Sequence, residues 1–310
     1  MRADIAEAWH HGSAIAVDYE GRVLAAWGES DFPIYYRSAV KPFQATASQR
    51  AGAELVPEHL ALACASHGGQ PVHVAIVRAM LDEASLDESA LQCPQDWPLS
   101  NSARNRLIAG GARKPRRIFH NCSGKHAGFL RACVAAGWPL ETYLERHHPL
   151  QQSVVAIVAE ATGADPRPVG IDGCGAPVLG GTIRGLATGF ARLSRDSAYA
   201  EAATATRRYP ALVADSARPD GRLAAWWGGP LKAGAQGLVA ASRHGIGLAV
   251  KSHEGSRTVA VMTLLEMLRL LGMLPDAARA ELEDIARPPV YGGGRVVGET
   301  VPTLEAAPTS

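Results

Sequence analysis

The sequence predicts an α+β fold, because strand-like segments lie near both ends of the chain and helical segments fill its middle. The strand-like segments fall at about residues 12–30 and 234–301, and Ala-rich helical spacing dominates from about 38 to 212. We expect the strands from both termini to form one antiparallel sheet. With 310 residues, 47% of them hydrophobic, the chain can bury a sizeable core, and we predict a single domain, residues 1–310.

The individual elements follow from their local patterns. Apolar runs at 13–17 and 22–26 flank the turn-like residues 18–21 and predict a β-hairpin. A helix is predicted from Ser38 to Arg50, since Pro42 is tolerated in a first helical turn. Helical spacing continues in four further segments: Val74–Ala84, Ala127–Ala136, Pro149–Thr162 and Ala176–Leu193.

The C-terminal third returns to strands. Two strands are expected at Gly237–Ala241 and Gly245–Val250, followed by a helix from about Val259 to Leu271 that Ser256 caps. One more strand is expected at Gly294–Val301. The tail after Leu304, rich in Ala, Pro, Thr and Ser, is expected to fray.

Composition excludes several classes of partner. The net charge is +1, and no segment combines dense Lys and Arg with aromatic residues, so we expect no nucleic-acid partner. The longest apolar stretch is interrupted by Glu266 and Arg269, so no membrane span is expected. The N-terminus lacks the apolar run of a secretory signal, and five cysteines fit poorly with a disulfide framework. Both observations predict a cytoplasmic protein.

Lysine is rare, at five of the 31 basic residues, and three of the five lie in segments rich in reactive side chains. A buried lysine can lose its proton and act as a base, which arginine does not do. The segment Arg37-Ser38-Ala39-Val40-Lys41 places Ser38 and Lys41 one helical turn apart. A neutral lysine at that spacing can activate the serine hydroxyl as a nucleophile.

Further motifs follow along the chain. Ser66 lies in Ala65-Ser66-His67-Gly68-Gly69, a glycine-rich bend that lets the backbone approach a ligand. Lys251 ends an apolar strand, a position similar to that of the K-T-G lysine of serine β-lactamases.

Two segments carry candidate metal ligands. Cys122, Lys125 and His126 lie within Asn121–Gly128 and could serve as metal ligands, substrate anchors or catalytic groups. Asp172 and Cys174 lie in the glycine-rich segment Gly170–Pro177. Two thiolates and a third ligand could hold Zn²⁺, although neither segment has a C-x-x-C pair.

Four of these blocks, in this order, resemble the signature blocks of the L-asparaginase II family: R-S-A-V-K-P-F, A-S-H-G-G, N-C-S-G-K-H-A-G and I-D-G-C-G-A-P. The resemblance runs from about Gly12 to about Val301. It implies a serine β-lactamase-like fold, a homodimer, and hydrolysis of the side-chain amide of L-asparagine to L-aspartate and ammonia.

The resemblance also implies roles for individual residues. Ser38 with Lys41, and Ser66 with Lys251, would form two catalytic Ser-Lys pairs. Zinc would be held by Cys122, Lys125 and Cys174, shaping the pocket and orienting the substrate. The remaining implied residues line the substrate site: Arg37, His126 and Asp172. Asp172 is a reasonable partner for the substrate α-ammonium and Arg37 for its α-carboxylate.

Two alternatives stay open from the sequence. One is a glutaminase or β-lactamase-like acyl hydrolase that uses the same Ser38 and Lys41. The other is a non-catalytic protein that binds zinc or an amino acid, in which Ser38 only caps a helix.

Overall fold

The structure is a computed structural model and describes residues 1–304. Its strands are β1 (Gly12–Val17), β2 (Val23–Trp27), β3 (Pro33–Tyr35), β4 (Val169–Ile171), β5 (Pro177–Thr182), β6 (Leu231–Gly234), β7 (Leu238–Arg243), β8 (Ile246–Ser252), β9 (Pro289–Gly292) and β10 (Arg295–Glu299).

The helices are α1 (Lys41–Arg50), α2 (Pro57–Ala63), α3 (Pro71–Asp82), α4 (Asn101–Ala109), α5 (Ser123–Ala136), α6 (Pro149–Thr162), α7 (Ile183–Leu193), α8 (Ala200–Arg208), α9 (Pro210–Val213), α10 (Pro219–Trp227), α11 (Arg257–Leu270), α12 (Asp276–Glu281) and α13 (Glu283–Ala286). Short 3-10 helices lie at Arg37–Val40, Glu88–Ala90, Arg117–Phe119 and Ser197–Tyr199.

The main sheet has five antiparallel strands in the order β2-β1-β8-β7-β6. Strand β1 lies directly between its hairpin partner β2 and the C-terminal strand β8, with Ala14 opposite Val250. The predicted α+β fold, with a sheet from both ends of the chain and a mostly helical middle, is therefore confirmed.

Both faces of this sheet are buried, so apolar residues occupy successive positions along its strands and not only every second position. Ile15 and Ala249 face a large core that includes α7 and the helical middle. Val239 and Val250 face a second core built with α11. The sheet thus separates two helical layers, and its edge strand β6 lies against the 3-10 helix Arg37–Val40.

Three element predictions need correction. The segment Ala176–Leu193 is a strand before it is a helix, because Pro177–Thr182 pairs with both β3 and β4. A Cβ on Gly180 would lie 2.7 Å from Pro168, so the strand needs glycine there. Thr182 then caps α7 by accepting from Gly185 N.

The strand expected at Gly294–Val301 exists as β10, but it pairs with β9 in a separate two-stranded sheet. The C-terminal part of the main sheet begins at Leu231, earlier than the expected residue 234. The tail after Leu304 lies outside the described residues.

The predicted cap of the C-terminal helix is confirmed. Ser256 caps α11, and its side chain accepts from Val259 N at 3.3 Å, as predicted. All five cysteines are buried and free. Within residues 1–304, no helix combines the length and apolar character that crossing a bilayer requires.

Candidate active site

Ser38 lies at the point where the chain leaves β3 and enters the 3-10 helix that leads into α1. Arg37, the residue before it, has φ +45°, a left-handed conformation that costs a non-glycine residue about 1–2 kcal/mol. Strain of this kind is concentrated at functional sites. Ser38 is half-buried, and Lys41 follows one turn later with 1% of its surface exposed.

The amine of Lys41 contacts a second loop. Its Nζ donates to Ala65 O at 2.5 Å and to Ser66 Oγ at 3.1 Å. Pro42 occupies the start of α1, where its missing N–H is not needed. The structure therefore brings two of the predicted motifs together through Lys41, and the hydrogen bonds of this lysine go to Ser66 and its neighbour rather than to Ser38.

A different lysine from the one expected completes the contacts of Ser66. Lys232 Nζ lies 2.9 Å from Ser66 Oγ and donates to Ala233 O at 2.6 Å. The expected pair of Ser66 with Lys251 is not formed, because Lys251 lies on β8 opposite Ser13 and donates to Ser252 O. Ser66 Oγ thus lies between Lys41 and Lys232.

The signal for Lys232 is present in the sequence. Lys232-Ala233-Gly234 has the K-x-G spacing of the β-lactamase K-T-G element, which the Lys251 segment lacks. Gly234 lies against the nucleophile segment, since a Cβ added there would be 3.4 Å from Arg37 Cβ. Strand order decides between the two lysines: Lys232 is on the edge strand that touches the 3-10 helix, and Lys251 is not.

Electrostatics separate the two amines beside Ser66. Burial lowers the pKa of Lys232 well below its usual range, and the positive charge of Lys41 lowers it further. Asp220 acts in the opposite direction. Two ammonium groups around one buried hydroxyl repel, so this arrangement favours a neutral amine at Lys232. A neutral amine has the lone pair that a general base needs.

The predicted metal ligands converge at the start of α5. Lys125 Nζ donates to Cys174 Sγ at 3.1 Å, and the thiols of Cys122 and Cys174 interact through a hydrogen bond. All three side chains are buried. Gly124 lets α5 approach α2 closely, because any Cβ there would lie 2.6 Å from Leu62 O.

Charge is shared unequally within this cluster. The hydrogen bond from Cys122, together with Lys125, holds the pKa of Cys174 far below the usual thiol range, whereas that of Cys122 is raised. Burial opposes the charge of Lys125, but the two sulfurs outweigh it and raise its pKa. These shifts favour a thiolate at Cys174 beside the ammonium of Lys125.

The donor set of this cluster suits zinc. Two sulfurs and an amine nitrogen are ligand types that Zn²⁺ accepts, provided that the lysine gives up its proton. Within residues 1–304, no three His, Cys, Asp or Glu side chains group to hold a metal, so the amine of Lys125 is essential to this set.

His126 lies beside the thiols and is fully buried. Its Nδ1 lies 2.7 Å from Tyr143 OH, which also accepts from Gln92 N. Its Nε2 has no hydrogen-bond partner in the part of the chain that the structure describes. Burial lowers the pKa of His126 to about 4, so the ring is neutral at pH 7.

Arg37 and Asp172 join the nucleophile segment to the thiol segment. Arg37 Nε and Nη2 lie 2.9 and 2.8 Å from Asp172 Oδ1, and Gly173 N donates to the same oxygen at 2.8 Å. Asp172 is held in the turn by Gly175 N, which donates to its carbonyl. Within residues 1–304, no hydrogen bond reaches the other carboxylate oxygen, Oδ2.

All but one of the predicted site residues thus belong to two linked groups. One group contains Ser38, Lys41 and Ser66, and the other contains Cys122, Lys125, His126 and Cys174, with Arg37 and Asp172 between them. Lys251 lies apart, and Lys232 takes the position expected of it.

Comparisons with known proteins identify the family of this chain. Residues 1–302 match the sequence model of the family described as L-asparaginase II. None of the curated proteins compared with the chain matches it. Among solved structures, a β-lactamase from Mycobacterium bovis is 16% identical, with 88% of this chain and 94% of that chain covered and a TM-score of 0.43. A likeness this weak does not decide fold or activity.

Proposed function

Since the chain belongs to the L-asparaginase II family, we propose that it hydrolyses the side-chain amide of L-asparagine to L-aspartate and ammonia. The observation that carries the mechanism is the chain of contacts from Lys41 through Ser66 Oγ to Lys232, on the segment where Ser38 lies one turn before Lys41. Serine hydroxyls flanked by buried amines are suited to acyl transfer.

In this mechanism Ser38 Oγ attacks the amide carbon of asparagine. Lys41 first gives a proton through Ser66 to the neutral Lys232, then accepts the hydroxyl proton of Ser38 one turn before it, and a tetrahedral oxyanion forms. Helix α1 begins three residues after Ser38, and the positive end of its dipole favours that negative charge. The C–N bond then breaks, ammonia leaves with a proton, and an acyl ester on Ser38 remains.

Ser66 moves protons between the two amines. It can hand a proton to the departing nitrogen and regain one from Lys41 or Lys232, since its oxygen lies within 3.1 Å of both. Water then attacks the ester with the same groups acting as bases, and aspartate is released. Lys232 is the amine that burial keeps ready to accept a proton.

Arg37 and Asp172 would recognise the α-substituents of the substrate. Asp172 has one oxygen occupied by Arg37 and Gly173, which leaves Oδ2 for the α-ammonium group. Arg37 would retain donors for the α-carboxylate. A neutral His126 would add a donor or acceptor at the thiol side of the pocket.

Zinc would be held by Cys122, Lys125 and Cys174, where it would supply positive charge that shapes the pocket and orients the substrate. Lys125 would bind it through a neutral amine. The chain's own serine is the nucleophile, so the proposed steps need no metal-activated water. The homodimer and the cytoplasmic location stay predictions.

The test measures ammonia release by the purified protein from asparagine and glutamine, and the absorbance change of a chromogenic cephalosporin. We expect asparagine to be preferred and Ser38→Ala to lose at least about 10³-fold in kcat. The matched control is Ser48→Ala, because Ser48 lies on α1, directly after the 3-10 helix of Ser38, and within residues 1–304 its hydroxyl makes one hydrogen bond, to Gln44 O. Equal activity of Ser38→Ala and wild type, or wild-type activity on the cephalosporin alone, would refute the proposal.

A further inference from the structure

Residues 213–218, which lie outside all the predicted motifs, form hydrogen bonds with both the N–H and the carbonyl of Ser66. Ser66 N donates to Val213 O at 3.2 Å, and Arg218 Nη2 donates to Ser66 O at 3.1 Å. The same stretch supplies Asp215, whose carboxylate would lie 2.9 Å from a Cβ added at Gly68. The loop that carries Ser66 is therefore docked against residues 213–218.

The Arg218 side chain that makes this contact is charged, largely buried and incompletely paired. Its side chain is only 16% exposed, and its one acidic partner is Asp220, at 3.5 Å from Nη2 and itself almost fully buried. Nε and Nη1 of Arg218, and Oδ1 of Asp220, have no hydrogen-bond partner among residues 1–304. Buried charges with unpaired donors weaken a fold, and proteins keep such features where function needs them.

We propose that Arg218, together with Asp220, is a positioning residue that holds the Ser66 backbone so that its hydroxyl lies between Lys41 and Lys232. The inference rests on the proposed function, since it assigns a role to residues that touch the catalytic serine and not the substrate. Arg218 holds the carbonyl of Ser66 while Lys232 contacts the hydroxyl of the same residue.

The same pair sets the electrostatic surroundings of Lys232. The groups that face this amine are Lys41 from α1, Arg218 and Asp220 from the start of α10, and Arg257 from the start of α11. Cys64, at the end of α2, adds no charge because burial raises the pKa of its thiol to about 12. The cation of Arg218 lowers the pKa of Lys232, and the carboxylate of Asp220 raises it.

Substitutions of Arg218 and Asp220 should therefore have opposite effects on the pH profile. Catalysis needs Lys232 neutral, so activity rises with pH through its pKa. Arg218→Gln removes a positive charge and should move the acidic limb of kcat/KM to higher pH. Asp220→Asn removes a negative charge and should move that limb to lower pH. A residue that only supports the fold would shift neither limb.

A third variant separates the effect of the Arg218 geometry on kcat from the effect of its charge on the pH profile. Arg218→Lys keeps the charge and loses the fixed guanidinium geometry, so we expect the acidic limb to stay in place while kcat falls roughly 10- to 100-fold. The control is Arg222→Gln, one turn further along α10, where the guanidinium pairs with Asp284 at the surface. It should leave both kcat and the pH profile unchanged.

The experiment is the pH profile of kcat/KM for asparagine in these four variants and the wild type, with thermal unfolding measured on each. Opposite shifts for Arg218→Gln and Asp220→Asn support the inference. Unshifted limbs in both folded variants, or Arg218→Gln within twofold of wild type at every pH, would overturn it. An inactive wild type would instead refute the proposed function.

Discussion

Lys232 and Lys125 are both fully buried beside a nucleophilic atom, yet their surroundings shift the pKa values of the two amines in opposite directions. Lys232 faces a serine hydroxyl and a second lysine, and burial lowers its pKa well below the usual range. Lys125 faces two sulfurs, which outweigh burial and raise its pKa. The neighbours, and not the depth of burial, decide which amine can act as a base.

The candidate site therefore has two parts. The Ser66 half contains Lys41, Ser66 and Lys232, and the thiol half contains Cys122, Lys125 and Cys174. At Ser66, the neutral amine is available for proton transfer. At the thiols, the ammonium of Lys125 faces Cys174 Sγ, and the proposed role of Lys125 as a zinc ligand would require it to lose that proton. A lysine at each position is therefore understandable in a chain that otherwise uses arginine.

The largest effect is expected at the Ser66 half. Lys232→Met should lower kcat by about 10²- to 10⁴-fold, the usual contribution of a general base, because no other amine approaches Ser66 from β6. Folding should persist, since Met replaces a buried amine with an apolar chain. The measurements are steady-state kinetics and thermal unfolding.

Two lysine controls sharpen this prediction. Lys114→Met changes an exposed lysine and should leave kcat unchanged. Lys251→Met tests the residue expected from the sequence, and we expect kcat within about threefold of wild type because Lys251 contacts Ser252 rather than Ser66. A larger loss in Lys251→Met than in Lys232→Met would show that the structural pairing is wrong.

A smaller effect is expected at the thiol half. After dialysis against a buffer that contains only trace metal, Cys174→Ala should retain less zinc than the wild type. The two proposed ligands that remain, Cys122 and Lys125, cannot hold the ion tightly. The loss of kcat in this variant should be smaller than that of Lys232→Met, since the proposed steps use the serines. Zinc is measured by elemental analysis, with Cys133→Ala as the control for a buried thiol outside the cluster.

Unchanged zinc content in Cys174→Ala would contradict the proposed ligand set. Zinc loss from both Cys174→Ala and Cys133→Ala would point to general unfolding, and thermal unfolding of the two variants distinguishes these cases.

Much of this architecture could be predicted from local pattern. The terminal strands and the spacing of Ser38 and Lys41 are properties of short segments, so the sequence alone predicts the sheet and places these two residues one turn apart. The position of Lys232 was missed because its contact with Ser66 spans 166 residues. Lys232 and Lys251 both lie on strands, and only the strand order separates them.

Other features were out of reach for a related reason. Arg218 lies in a stretch with no recognisable motif, and its contact is to a backbone carbonyl, which leaves no pattern in the sequence. The strand Pro177–Thr182 was read as helix because its pairing partners lie in distant segments, at Pro33–Tyr35 and Val169–Ile171. Tertiary pairing overrode the local preference there.

The central claim is that Lys232 is neutral where Lys125 is charged, and a titration of the lysine side chains by NMR tests it most directly. The chain has only five lysines, so the Cε and Nζ signals of the labelled, metal-free protein can be assigned with Lys→Met variants. We expect Lys232 to lose its proton at a lower pH than the exposed Lys114, and Lys125 to keep its proton to a higher pH than Lys114. A Lys232 signal that stays protonated as long as that of Lys114 would contradict it.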